Sequence, residues 1–185
     1  MFEKHETTAW TIDPAHTSAE FAVKHLMITT VKGQFSDVSG RFTLDDAKPS
    51  DSSVEVEIGV ASVDTRESKR DAHLRSADFF AADEHPSMTF RSTAVERTSE
   101  DRYRVKGDLT IRGVTKPVEL SVEREGRVKD PWGGERIGFT ATTKLDRRDF
   151  GLMWNMALEA GGLLVGNDVK VTLSVEAVRE AEVTV

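Results

Sequence analysis

The sequence predicts an all-β protein built as one closed antiparallel barrel of eight strands, or nine if a short amino-terminal strand is counted. Apolar and polar side chains alternate with period two along most of the chain, as on half-buried strands. Short segments rich in Asp, Ser, Gly and Pro separate the alternating runs, as hairpin connections require. A chain of 185 residues suits one core, and closure removes the exposed edges of such a set of strands.

The strands follow from the alternation in chain order. In the first clear run, Phe21, Val23 and His25 share one face while Glu20 and Lys24 take the other. The same pattern predicts strong strands at 19–25, 54–60, 103–112, 118–123, 137–145 and 169–177, and weaker ones at 10–12, 33–44 and 88–95.

Two segments depart from regular strand. Within 33–44 the apolar parity changes from odd at Phe35 to even at Phe42, which predicts a bulge or bend near 38–40. Asp64 with Glu67 resembles a capping box, and the residues after it contain neither Gly nor Pro. We therefore expect one or two short helices within 65–80, as 76–80 could add a second turn.

The chain is expected to form a single domain over 1–185, with loose tails at 1–8 and 180–185. Its amino end lacks the apolar run of a secretory signal, so we expect a cytoplasmic location. No stretch approaches 18 consecutive apolar residues, so membrane insertion is not expected.

The composition narrows the classes of function. The 25 Lys and Arg residues against 32 Asp and Glu give a net charge of −7, which disfavours a nucleic-acid partner. There is no cysteine, and the five histidines show no zinc-ligand spacing, so neither a metal nor a cofactor is expected. Gly161, Gly162 and Gly166 match no phosphate-binding loop.

An eight-stranded barrel either fills its interior or leaves room for one small ligand. Several inward positions are small, which favours an open channel: Ala19, Gly33, Gly107, Gly113 and Ala141. The inward faces are mainly apolar, so a guest should be apolar and elongated. Phenylalanines on such a face are core residues by default, however, so a packed interior stays open as an alternative.

Seven sequence blocks carry a resemblance to a known family. They are WTIDPAHTS at 10–18, VKGQF at 31–35, RDAHLRSADFF at 70–80, HPSMTF at 85–90, GDLTIRGVTKPV at 107–118, DRRDFGL at 146–152 and VGNDV at 165–169. In this order they resemble the YceI-like family, lipocalin-like barrels associated with polyisoprenoid binding. The resemblance implies a hydrophobic pore that holds a long isoprenoid or fatty chain, a homodimer, and no established catalytic activity. Many members of the family are periplasmic, in contrast to the location expected above.

The hypothesis is therefore that the chain binds, sequesters or carries a long-chain lipid without covalent chemistry. The predicted lining consists of inward apolar residues: Phe21, Val23, Phe35, Phe42, Val56, Ile58, Phe90, Leu109, Ile111, Phe139, Leu145, Phe150 and Leu152. The predicted contacts for a polar head are side chains with polar tips in or beside the family blocks: His25, Arg70, His73, Arg148 and Trp154.

Two alternatives remain open at this point. One is an enzyme that acts on an isoprenoid in the same barrel and uses Asp13, His16 or Asp149, although Asp13 and His16 are more simply a turn before a strand. The other is an interaction protein with a fully packed barrel whose exposed loops bind a partner.

Overall fold

The computed structural model describes residues 6–181. Within them lie one α-helix and eleven strands: β1 (Thr7–Ile12), β2 (Ser18–His25), β3 (Thr29–Phe35), β4 (Val38–Asp45), β5 (Ser53–Gly59), β6 (Val63–Asp64), α1 (Ser68–Arg75), β7 (Ser87–Ser99), β8 (Arg102–Ile111), β9 (Val114–Lys129), β10 (Glu135–Asp146) and β11 (Val165–Arg179). Short 3₁₀ turns occur at Pro14–His16, Pro49–Asp51, Val60–Ser62 and Arg147–Phe150.

Eight of these strands form a closed antiparallel ring in the order β1, β4, β5, β7, β8, β9, β10, β11 and back to β1. The ring closes where Trp10 pairs with Arg179 and Ile12 with Ala177. Trp10, Ile12 and Ala177 are almost fully buried, so closure is accompanied by apolar packing. The predicted eight-stranded barrel is confirmed.

The three remaining strands extend one wall of the barrel. β11 pairs with β1 near its carboxyl end and with β2 along residues 165–174, while β2 pairs with β3 and β3 with β6. The predicted strand at 33–44 is thus two strands, which part at residues 36–37, just before the expected bend. The change in apolar parity marked this break because β3 and β4 pair with different neighbours.

The helix begins later than the capping pattern predicts. Glu67, not Asp64, is the N-cap residue, and its carboxylate accepts the backbone N–H groups of Lys69 and Arg70. Asp64 lies in β6 and accepts the N–H of Arg66 instead (2.8 Å), because the chain turns sharply there. Residues 76–80 form turns, so the range expected to hold one or two helices holds one.

Helix α1 and the turns after it cover one end of the barrel, the end at which β2 and β3 extend the wall. Phe80 packs on Phe35 of β3 with ring centroids 5.6 Å apart. Arg112, in the turn between β8 and β9, donates a hydrogen bond to the carbonyl of Phe79 (2.7 Å). The segment therefore spans the barrel end from β3 to the β8–β9 turn.

Part of the predicted tails is ordered. Thr7 and Thr8 belong to β1 and pair with Asp45 and Leu44 of β4. Glu180 donates its N–H to the carbonyl of Ala9 (2.8 Å). For these residues the prediction of loose tails is corrected, because their backbone groups complete the seam of the barrel; residues 1–5 and 182–185 lie outside the described range. None of the helices in residues 6–181 has the length and apolarity that a membrane span requires.

Partly exposed ion pairs connect strands at the opposite end, near the β9–β10 turn. Glu135 accepts hydrogen bonds from Arg127 and from Arg179, the latter at 3.0 Å. These two guanidinium groups lower the pKa of Glu135 to about 2. A carboxylate with a lowered pKa stabilises the fold above its unfolded pKa of about 4.3, and that contribution disappears as the pH falls towards 2.

Replacing Glu135 with Gln is therefore expected to weaken the acid dependence of stability. The free energy of unfolding of the wild type should exceed that of Glu135→Gln at pH 7, and the difference should shrink between pH 5 and pH 2. Urea unfolding at a series of pH values measures it. Glu125→Gln, which removes the same charge from an exposed position of β9, is the control; if both variants follow the same pH profile, the ion pairs do not carry the effect.

Candidate ligand-binding site

The barrel interior contains two adjoining chambers. The narrow chamber, of about 190 Å³, lies towards the β4–β5 and β9–β10 turns, and the wide chamber, of about 470 Å³, lies towards α1 and the β2–β3 turn. Five residues line both chambers: Ile58, Met88, Leu109, Leu145 and Val171. We call these five the waist. The two chambers therefore follow one another along the barrel and make an elongated cavity.

The strand alternation explains why the cavity is apolar. In β8, Tyr103, Val105 and Leu109 line a chamber while Arg104 and Lys106 between them are exposed. β10 repeats the pattern with Phe139, Ala141, Thr143 and Leu145. Successive residues of a strand point to opposite faces, so the charged residues of these strands lie outside.

Seventeen of the eighteen residues predicted for the site lie on the cavity. Phe42, Val56, Phe90 and Phe139 line the narrow chamber, and Ile58, Leu109 and Leu145 belong to the waist. The other ten line the wide chamber: Phe21, Val23, His25, Phe35, Arg70, His73, Ile111, Phe150, Leu152 and Trp154. Whether they contact a ligand stays a prediction.

Arg148 is the predicted head contact that the structure places elsewhere. Its side chain is half exposed, and its guanidinium forms an ion pair with Asp146 (2.6 Å) on the outside of the barrel. Arg148 lies in the 3₁₀ turn Arg147–Phe150, and its guanidinium turns back to Asp146, the last residue of β10.

Arg147 is not among the predicted site residues, yet it lies on the wall of the wide chamber at 5% exposure. Its guanidinium donates to the carbonyls of Leu152 (2.6 Å) and Trp154 (2.9 Å) and to that of Gly166 (2.8 Å). Longer contacts of 3.4 Å reach Val165 and Asn167. Burial lowers the pKa of this guanidinium. The signal was present in the sequence, because Arg147 continues the inward odd-numbered series of β10.

Aromatic contacts join α1 to the loop of residues 151–164, which lies between β10 and β11. His73 meets Trp154 edge to face with centroids 4.6 Å apart and Phe79 in the same way at 5.1 Å. His73 also bonds to Asp78 (2.8 Å). The predicted head contacts His73 and Trp154 therefore also hold the chamber wall together.

Two of the small inward residues do not widen the channel. At Gly33, the tip of the Phe21 ring lies where a β-carbon would be, and at Gly107 the ring of Phe90 does so. The expectation that these glycines leave open space is wrong, because aromatic rings from neighbouring strands fill it. Ala19 and Ala141 do border the chambers.

Replacing Gly107 with Val is therefore expected to lower the free energy of unfolding by about 3 kcal/mol. A β-carbon there would lie 2.5 Å from both the Arg91 carbonyl oxygen and the Phe90 ring, and the backbone atom cannot move away cheaply. Urea unfolding measures the change. Gly126→Val in β9, where no other atom lies within 4 Å of the added carbon, should stay within about 0.5 kcal/mol of wild type; equal losses would contradict the steric explanation.

The groups considered for an enzyme lie away from the cavity. His16 and Asp149 are exposed, and none of Asp13, His16 and Asp149 is among the residues lining either chamber. Asp13, His16 and Glu176 do come together as metal-type side chains within the described range. Arg136 already binds this cluster, since its Nη1 donates to Asp13 (2.9 Å) and Glu176 (2.6 Å).

Fold and cavity together define a class of protein: small closed antiparallel barrels that enclose an elongated apolar cavity. The YceI-like domain model matches residues 10–177, and the chain belongs to the YceI-like family. A UPF0312 protein of Azotobacter vinelandii is 41% identical over 165 residues, which cover 89% of this chain and 83% of the relative.

Two solved structures share the fold. BcnA of Burkholderia cenocepacia has a TM-score of 0.78 at 22% identity, with 89% of this chain and 98% of BcnA covered. A polyisoprenoid binding domain from Saccharophagus degradans has a TM-score of 0.67 at 18% identity, with 92% and 98% covered. At these identities the likeness establishes the shared fold. This shared fold agrees with the resemblance to lipocalin-like barrels that the seven sequence blocks carry.

Proposed function

We propose that this protein binds and carries a long-chain apolar lipid, a polyisoprenoid or a molecule of similar shape, inside its barrel. The observation that carries the proposal is the elongated cavity with an almost entirely apolar lining. The wide chamber alone falls in the volume range of small-molecule sites, and the narrow chamber continues it past the waist. A long, thin, apolar chain fits this shape better than a compact ligand does.

The magnitudes favour retention of a long chain. Burial of each methylene contributes about 0.8 kcal/mol, so a tail that enters both chambers gains far more than one confined to the wide chamber. Much of this gain is offset by ordering the chain. Apolar contact discriminates weakly among similar tails, so chain length should matter more than the detailed structure of the tail.

The distribution of charge supports the wide end as the position of the polar head. The wide chamber is lined by Lys24, Lys69, Arg70 and Arg147 against the carboxylates of Glu20 and Glu67. This local excess of two positive charges stands in a chain whose net charge is −7. An anionic or strongly polar head is therefore stabilised there, with the tail directed towards the narrow chamber. The Saccharophagus degradans domain of the same fold, described as polyisoprenoid binding, supports this class of ligand.

Carriage is favoured over the two alternatives. An enzyme would need its acid and base groups on the cavity, whereas Asp13, His16 and Asp149 are not among its lining residues. A packed interaction module would need a filled interior, whereas this barrel holds two chambers. The homodimer and the cytoplasmic location stay predictions, to be tested by analytical ultracentrifugation and by cell fractionation.

Solvent extraction of the purified protein followed by mass spectrometry tests the proposal. We expect a long-chain lipid in the extract. After delipidation and reloading with solanesol, the protein should hold solanesol in a fixed molar ratio. Heat-unfolded protein serves as the control for nonspecific adsorption. If the native protein neither yields such a lipid nor retains added solanesol better than the unfolded control, the carrier proposal is wrong.

A further inference from the structure

Exposed apolar side chains gather on two segments that also contribute to the lining of the wide chamber. Seven large apolar residues within 6–181 are exposed. Five of them lie on two segments: Met27 and Ile28 in the β2–β3 turn, and Met153, Met156 and Leu163 in the loop of residues 151–164. Their exposed fractions run from 38% for Leu163 to 81% for Ile28. We call these five residues the apolar rim.

The two segments of the apolar rim are joined by backbone hydrogen bonds. Leu26 donates its N–H to the carbonyl of Leu164 (2.9 Å), and Leu164 donates to that of Met156 (3.0 Å). The two segments therefore form one continuous part of the surface. Exposed apolar side chains that gather on one part of a surface mark interaction sites.

The apolar rim adjoins the part of the wide chamber that is lined by His25, Trp154 and Leu164, which we call the mouth. His25, which precedes the β2–β3 turn, lines the wide chamber, and so do Trp154 and Leu164 of the loop. Exposed and lining residues therefore alternate along the same segments, since Met153 precedes Trp154 and Leu163 precedes Leu164. An apolar cargo can thus pass between the cavity and an apolar medium without full hydration of its tail.

The charged residues on and beside the apolar rim indicate which kind of partner fits this surface. Residues 151–166 contain one charged residue, Glu159, in a chain that is 31% charged. The wide chamber next to these segments is lined by Lys24, Lys69, Arg70 and Arg147 against Glu20 and Glu67, a local excess of positive charge in an acidic protein. A charge-poor apolar surface beside a local excess of positive charge matches the interface of a bilayer that contains anionic lipid.

We propose that the apolar rim docks this protein on anionic lipid bilayers, so that cargo exchanges directly between the membrane and the wide chamber. The proposal rests on the lipid-carrier function for its purpose, although docking itself can be measured without any cargo. Met27 and Ile28 enter the interface, and the mouth of the chamber faces the acyl chains. The opposite end of the barrel, with the β9–β10 turn, stays in water.

Flotation with vesicles of phosphatidylcholine and phosphatidylglycerol tests the docking. Wild type should float with the vesicles, whereas the double variant Met27→Asp, Ile28→Asp should lose binding about tenfold or more. The uncharged pair Met27→Ser, Ile28→Ser should also bind more weakly, which separates lost apolar contact from added charge. The matched control is Val128→Asp, Trp132→Asp, which places equally exposed changes near the β9–β10 turn and should leave binding unchanged.

The outcomes separate docking from carriage. Met27 and Ile28 are not among the residues lining the chambers, so the double variants should retain solanesol in solution while transferring it between vesicles at least about tenfold more slowly. If wild type retains solanesol but does not float, docking is wrong and carriage stands. If the rim variants change the sedimentation of the protein but not its flotation, the face is an interface between copies and docking is again wrong.

Tryptophan fluorescence gives a second readout of orientation. Trp10 is fully buried, Trp132 is exposed at the opposite end, and Trp154 lies at the mouth. In a Trp132→Phe variant, vesicles of brominated phospholipid should quench the fluorescence relative to unbrominated vesicles. Unchanged fluorescence in a variant that floats would show a different docking face and overturn the proposal.

Discussion

Replacing Arg147 with Met is expected to lower the free energy of unfolding by about 3 to 5 kcal/mol. The side chain is buried and donates to the carbonyls of Leu152 and Trp154 in the loop of residues 151–164 and of Gly166 at the start of β11. Methionine fills much of the volume but leaves these acceptors without a donor. Urea unfolding monitored by circular dichroism measures the loss, and the loop of residues 151–164 should become more sensitive to proteolysis.

The neighbouring arginine provides the control. Arg148→Met removes the same charge from an exposed ion pair with Asp146, and such pairs contribute less than about 1 kcal/mol. Arg147→Lys keeps the charge, but lysine lacks the planar guanidinium and cannot reach all the carbonyls. Its loss of free energy of unfolding should therefore be intermediate. Equal losses for Arg147→Met and Arg148→Met would show that burial and carbonyl contacts are not the cause.

Replacing Ala141 with Phe is expected to shorten the lipid tail that the protein accepts. Ala141 borders the narrow chamber and pairs with Val122 and Leu173. The added ring enters the chamber and excludes the end of a long tail. If about four methylenes of solanesol are displaced, its binding free energy should become less favourable by about 3 kcal/mol, so that its affinity falls roughly a hundredfold. Farnesol, whose shorter tail is expected to occupy the wide chamber alone, should bind with little change.

Competition between the two lipids on delipidated protein measures this shift. Thr142→Phe adds the same ring at the next residue, which is exposed on the outside of the barrel, and should leave the preference for solanesol intact. Phe139→Asp tests the same chamber differently, since a carboxylate in the apolar lining should weaken retention of every long chain. Unchanged retention of solanesol by Ala141→Phe would mean that the tail does not occupy the narrow chamber.

Most of the lining could be predicted because side-chain alternation is a local property of each strand. Phe139, Ala141 and Leu145 in β10 follow from parity alone, and so does Arg147. Arg147 was not predicted as a lining residue, because a buried arginine is unfavourable unless carbonyls accept its hydrogen bonds, and alternation does not identify those carbonyls. Those carbonyls come from residues 5 to 19 positions later in the chain.

The sequence by itself determined the all-β class, the strands that close the barrel and the apolar character of its inner face, because period two and turn chemistry act over a few residues. The tertiary structure alone decided where the interior is open. Whether Gly33 and Gly107 leave space depends on the rings of Phe21 and Phe90, and the two chambers exist because the inward side chains of all the strands together fail to fill the volume that closure encloses.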